Sequence, residues 1–129
     1  MYPTSAKKPP FFDHRAHLKL AFEFIQLMPL REAIEAAESF LLGYVTSVGA
    51  RDQFNVTLTR ASVLLISDKT HGNKGLSFDE LLKNNPELEK DFLGELHQYY
   101  TSELLQSTEA KRTWIAPNLR NFNSTKELE

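Results

Sequence analysis

The chain has 129 residues, which fits one domain and permits burial of roughly two-thirds of the unfolded surface. Hydrophobic residues at 41% and charged residues at 25% sit near ordinary globular values, which argues against a disordered chain or a membrane protein, and a formal net charge of -2 offers no positive field to a nucleic-acid backbone. With no cysteine there is no disulfide framework, thiolate nucleophile or zinc-thiolate cluster, so any bound metal must use His, Asp or Glu.

Residues 1–12 contain Pro3, Pro9 and Pro10 and read as an extended arm ending in Phe11 and Phe12, two rings expected to dock on the domain. The short basic element in this arm has no apolar run behind it, and no stretch reaches the ~18 apolar residues of a membrane span, so the expected setting is the cytoplasm. Asp13 is a candidate N-cap for a helix running to about Met28, with Leu18, Ala21, Phe24, Ile25 and Met28 as its apolar stripe. Pro29 breaks that helix.

The strong helix formers of REAIEAAESFLL predict a second helix from Leu30 to Val48, with Leu30, Ile34, Ala37, Leu41, Val45 and Val48 on its buried face and Gly49 as its C-terminal cap. The segment VTLTRASVLLIS carries two signals. Its β-branched residues favour a strand, whereas Phe54, Leu58, Ala61 and Leu65 recur at helical spacing. Its length exceeds that of a usual strand and no partner strand is apparent, so a helix over 55–67 is expected.

HGNKG (71–75) reads as a turn-rich loop, followed by Ser77-x-x-Glu80 as a capping box that opens a short helix through Leu82. Pro86 permits another helical start. Beyond Asp91, with Thr101 and Ser107 as N-cap candidates, the chain reads as a succession of short helices. Residues 121–129 are polar and expected to fray, which sets the domain at 13–120. The predicted architecture is all-α: a bundle of three longer helices followed by several short ones.

The candidate chemistry lies at Asp13-His14-Arg15-Ala16-His17. Two imidazoles at i and i+3 meet on one helix face, here the stripe of Leu18, Ala21 and Ile25, and so are expected to point inward. Burial and the positive end of the helix dipole both favour neutral rings, which can accept a proton, donate a hydrogen bond or bind a metal. The alternative is that one His caps a nearby carbonyl while the other is a partly exposed helix-start residue. A divalent ion wants at least three protein ligands, and no third is evident. His71, in the Gly-rich loop, reads as solvated, and His97, beside Tyr99 and Tyr100, as packing.

On the third helix Asn55 and Thr59 share a face, which gives a polar strip; Asn55 reads equally as a plain N-cap with Thr hydroxyls bonding back to the helix. The acidic pairs Asp79-Glu80 and Glu87-x-Glu89 are most simply charges at helix N-termini. No G-x-G-x-x-G, P-loop, G-x-S-x-G, H-E-x-x-H or EF-hand motif is present, which argues against the corresponding nucleotide-binding, hydrolase and calcium readings.

His14-x-x-His17-Leu18, the N-V-T-L-T segment at 55–59, Tyr99-Tyr100-Thr101 with Leu104, and Ala110 through Pro117-Asn118-Leu119 resemble, in that order, a family of uncharacterised bacterial helical proteins of about this length. The resemblance spans about residues 12–120. Its pattern is H-x-x-H-L, H-x-T-x-T, Y-S and P-D-L, and it implies a shared helical fold, a shared pocket and three converging histidines. This chain departs at Asn55, where relatives commonly have His, and at Asn118, where they commonly have Asp. An amide hydrogen-bonds but is a poor metal ligand and shuttles no protons near neutral pH, so the resemblance implies a lost or altered activity.

The expectation from sequence is therefore a polar pocket of His14, His17 and Asn55, with Thr59, Tyr99 and Tyr100 nearby, that binds a small polar ligand. Two rivals stand beside it. One is an enzyme with His14 or His17 as general base or as ligands to a divalent metal. The other is a protein-interaction module, homo-oligomers included, that uses Phe11-Phe12 or the surface of Tyr99, Tyr100 and Trp114.

Overall fold

The computed structural model describes residues 14–128. The Pro-rich arm, Phe11-Phe12 and the Asp13 cap lie outside the described residues. Three long helices come first: α1 (His14–Leu27), α2 (Leu30–Ser47) and α3 (Val56–Thr70), with a single 3-10 turn at Arg51–Gln53 between the last two. Five short helices follow: α4 (Phe78–Asn84), α5 (Glu87–Lys90), α6 (Phe92–Leu96), α7 (Ser102–Leu105) and α8 (Thr108–Arg112), and then a 3-10 segment at Asn123–Leu128. No strand occurs among the described residues, so the chain is all-α.

Local signals account for most of the boundaries. Pro29 (φ -58, ψ 151) is extended and separates α1 from α2, while its carbonyl accepts the Ala33 N–H at 2.9 Å. Gly49 (φ 72) adopts the left-handed conformation after α2, and the Gly49 and Ala50 N–H groups return to the Thr46 and Val45 carbonyls, a Schellman ending that a Cβ at position 49 would strain. Ser77 and Glu80 form the reciprocal capping box, and the side chains of Asp91, Thr101 and Ser107 accept the third N–H of α6, α7 and α8.

The three long helices pack on one another, and α3 runs through the middle. Thr57, Thr59, Ala61, Val63, Leu64, Leu65, Ile66, Ser67 and Thr70 of α3 are all buried, which leaves no broad solvent face. That explains the mixed signal of the sequence: a helix covered on every side shows no apolar stripe, and its β-branched residues pack as well in a covered helix as in a strand. The core is completed by Leu18, Phe22 and Ile25 of α1, Leu30, Ala33 and Ile34 of α2, and Leu81, Leu88, Leu96 and Leu105 from the short helices.

The expected frayed tail is corrected by the structure. Phe122 is 2% exposed and stacks on Tyr99 with ring centroids 4.1 Å apart. Asp68 accepts the backbone N–H groups of Asn123 and Ser124, Ser124 Oγ donates to the Leu64 carbonyl at 3.0 Å, and Arg31 donates to the Leu128 carbonyl. The folded unit thus continues to residue 128. One aromatic ring and a capped turn stabilise a segment whose composition is otherwise polar.

Candidate functional site

A cavity of about 460 Å³ opens between α1, α2 and α3, with the start of α6 at its rim. Leu18, Val45, Thr59, Val63 and Ile66 are buried and form its floor, whereas His14, Phe40, Gln53 and Leu93 are exposed and mark its mouth. Ala21, Ala37, Leu41, Leu58 and Phe92 complete walls that are largely apolar. Ala21 of α1 and Ala37 of α2 contribute small side chains to the wall where these helices flank α3.

His14, His17, Asn55 and Thr59 all line this cavity, as their sequence positions predict. Their surroundings differ from the expectation. His14 is exposed rather than turned fully inward; its Nε2 donates to the Leu88 carbonyl at 2.9 Å, and its ring meets the Phe92 ring edge-on at 5.5 Å. His17 is half-buried with its ring edge-on to Tyr44 at 6.2 Å. The reading in which one histidine bonds a nearby carbonyl is therefore what His14 does.

Asn55 is the N-cap of α3. Its side-chain oxygen accepts the Leu58 N–H at 2.9 Å and its amide nitrogen donates to the Leu105 carbonyl at 3.0 Å, so both ends of the amide are engaged inside the protein. Thr59 Oγ1 donates to the Asn55 carbonyl at 2.9 Å and Ser62 Oγ to the Leu58 carbonyl at 2.7 Å. The polar strip of α3 is thus real, with the Thr59 and Ser62 hydroxyl hydrogens turned back onto their own helix and the Asn55 amide turned to α7. Ser62 and Gln53, which also line the cavity, were not singled out in the sequence; Ser62 lies one turn beyond Thr59, and the i+3 spacing was the available signal.

Tyr99 and Tyr100 are not among the cavity's lining residues, which corrects their assignment to the pocket. Both are buried in the core. Tyr100 donates its phenol to the Ile115 carbonyl at 2.6 Å and meets the Trp114 ring edge-on, while Tyr99 stacks on Phe122 and carries the Arg120 guanidinium 4.7 Å from its ring centroid. Burial also removes these two tyrosines from any partner-binding surface. The motif residues therefore separate into two places. His14, His17 and Asn55–Thr59 meet at the cavity, but Asn118 meets Thr101: Asn118 Oδ1 accepts the Thr101 N–H at 3.0 Å, and its amide donates to Thr101 Oγ1 at 3.2 Å, reinforcing the cap of α7. Position 118 is a structural latch in this chain.

Comparison with protein-family models, curated proteins and solved structures gives no match. The site must be read from its own chemistry. Two imidazoles fall short of the three protein ligands a divalent ion takes, and among the described residues no group of three or more His, Asp or Glu gathers to hold one. A smaller cleft of about 250 Å³ lies between α2, α3 and the C-terminal segment, lined by Arg31, Glu35, Glu38, Arg60 and Trp114. Its Arg60 and Glu38 pair with each other at 2.9 Å and its Arg31 holds the Leu128 carbonyl, so those charges serve the fold. Among the described residues no helix is long and apolar enough to cross a membrane.

Proposed function

We propose that this domain binds a small, largely apolar molecule in the cavity between α1, α2 and α3, with the molecule's polar end toward His14 and His17. The single observation that carries the reading is the cavity itself. Its volume of about 460 Å³ lies within the roughly 300–1,000 Å³ of small-molecule sites, and its composition, apolar walls with a few placed polar groups, is theirs as well. The sequence led to a small polar ligand; the wall of Leu18, Ala21, Leu41, Val45, Leu58 and Ile66 favours an apolar body instead, because burying polar surface against these side chains without hydrogen bonds is costly.

The test is a fluorescence titration with N-phenylnaphthylamine, a neutral apolar probe, on the wild type and on Ala37→Phe and Ala21→Phe, which place a ring in the gap from α2 and from α1. Saturable binding at one site, weakened at least tenfold in either variant with circular dichroism unchanged, supports the reading. Absence of saturable binding to the wild type, or binding indifferent to both substitutions, overturns it.

A further inference from the structure

We infer that the cavity selects molecules whose polar end is an uncharged hydrogen-bond donor, an alcohol or a phenol carried on an apolar body. This rests on the reading of the cavity as a binding site and adds the chemistry of its occupant. Four polar side chains in the wall each have a hydrogen committed within the protein. Thr59 Oγ1 donates to the Asn55 carbonyl, Ser62 Oγ to the Leu58 carbonyl, Asn55 Nδ2 to the Leu105 carbonyl and His14 Nε2 to the Leu88 carbonyl.

A hydroxyl that has donated its only hydrogen still carries lone pairs. What Thr59 and Ser62 offer an occupant is therefore acceptor capacity. A ligand that brings a hydrogen satisfies these atoms. At these hydroxyls a carboxylate or phosphate brings only further lone pairs and sets acceptor against acceptor.

Charge argues in the same direction. Among the described residues that line the cavity there is no Asp, Glu, Lys or Arg, so neither an anionic nor a cationic head group finds a counter-ion there, and transferring an unpaired charge to apolar surroundings is strongly unfavourable. An ether or hydrocarbon of the same shape fits the walls but leaves the acceptors unmatched, and sites built around a hydroxyl discriminate against analogues that lack it.

The experiment displaces bound N-phenylnaphthylamine with three molecules of one apolar skeleton: naphthol, methoxynaphthalene and naphthoate. Naphthol is expected to displace the probe about tenfold more tightly than either of the others. Ser62→Ala, and separately Thr59→Val, should each reduce that preference while leaving methoxynaphthalene unchanged. Equal displacement by all three, or naphthoate the strongest, overturns the donor inference and leaves the cavity reading in place, since the probe itself still binds. Failure of the wild type to bind the probe at all overturns both.

Discussion

Asn55 ties the start of α3 to the end of α7: its amide N–H donates to the Leu105 carbonyl, 50 residues away in sequence, at 3.0 Å, while its oxygen caps the Leu58 N–H. Asn55→Ala removes an N-cap worth about 1 kcal/mol and leaves a part-buried carbonyl without its donor, worth about 1 kcal/mol more. A loss of about 2 kcal/mol in urea unfolding is expected. Asn55→His should cost a similar amount, and calorimetric zinc titration should show no tenfold gain, because His14 stays committed to the Leu88 carbonyl.

The C-terminal segment should matter for stability. Phe122→Ala deletes a ring that is stacked on Tyr99 and packed near Tyr100, and such core truncations cost about 3–5 kcal/mol. With about 3–5 °C of Tm per kcal/mol for a chain of this size, calorimetry should read a drop on the order of 10 °C. Deleting residues 121–128 should lower Tm at least as much. A tail that merely frayed would leave Tm unchanged.

Tyr100→Phe should cost about 1 kcal/mol near neutral pH, the usual net worth of a hydrogen bond, here the one to the Ile115 carbonyl. Burial pushes the Tyr100 phenol well above its ordinary value of 10.0. A folded-state pKa raised above the unfolded one gives stability that is complete below pH 10 and lost as pH rises toward the folded value. The gap between wild type and Tyr100→Phe should therefore narrow above pH 10 in alkaline unfolding curves.

Glu80 sits in the capping box, where hydrogen bonds from the Ser77 backbone N–H and then the Ser77 side chain hold its carboxyl below the ordinary 4.5. The sign runs opposite to that of Tyr100: the contribution is present above the unfolded value and fades as pH falls through the folded one. A carboxyl NMR titration should place the Glu80 midpoint below 4.5, and Ser77→Ala should return it toward that value. A wild-type midpoint at or above 4.5 would show that the box is not formed in solution.

The sequence by itself determined the helical class, most helix starts and the N-terminal half of the site. Pro29, Gly49, Asn55, Ser77 with Glu80, Asp91, Thr101 and Ser107 each act on backbone groups within a few residues, so their effects are legible without knowing the fold. The i, i+3 spacing likewise placed His14 and His17 on one face, and both do reach the cavity.

Only the tertiary structure decided the rest. Whether α3 is covered on all sides, whether Phe122 finds Tyr99, whether Asn118 latches onto Thr101 and whether Tyr100 reaches the Ile115 carbonyl depend on which segments meet, and periodicity within one segment carries no record of that. The cavity is the clearest case. It lies where α1, α2 and α3 meet, and its hydrogen-bonding character is set by where donors spend a proton: Asn55 on Leu105 and His14 on Leu88, partners 50 and 74 residues distant. Composition specifies which polar groups a chain possesses, but only packing fixes which of their lone pairs and hydrogens remain for a ligand.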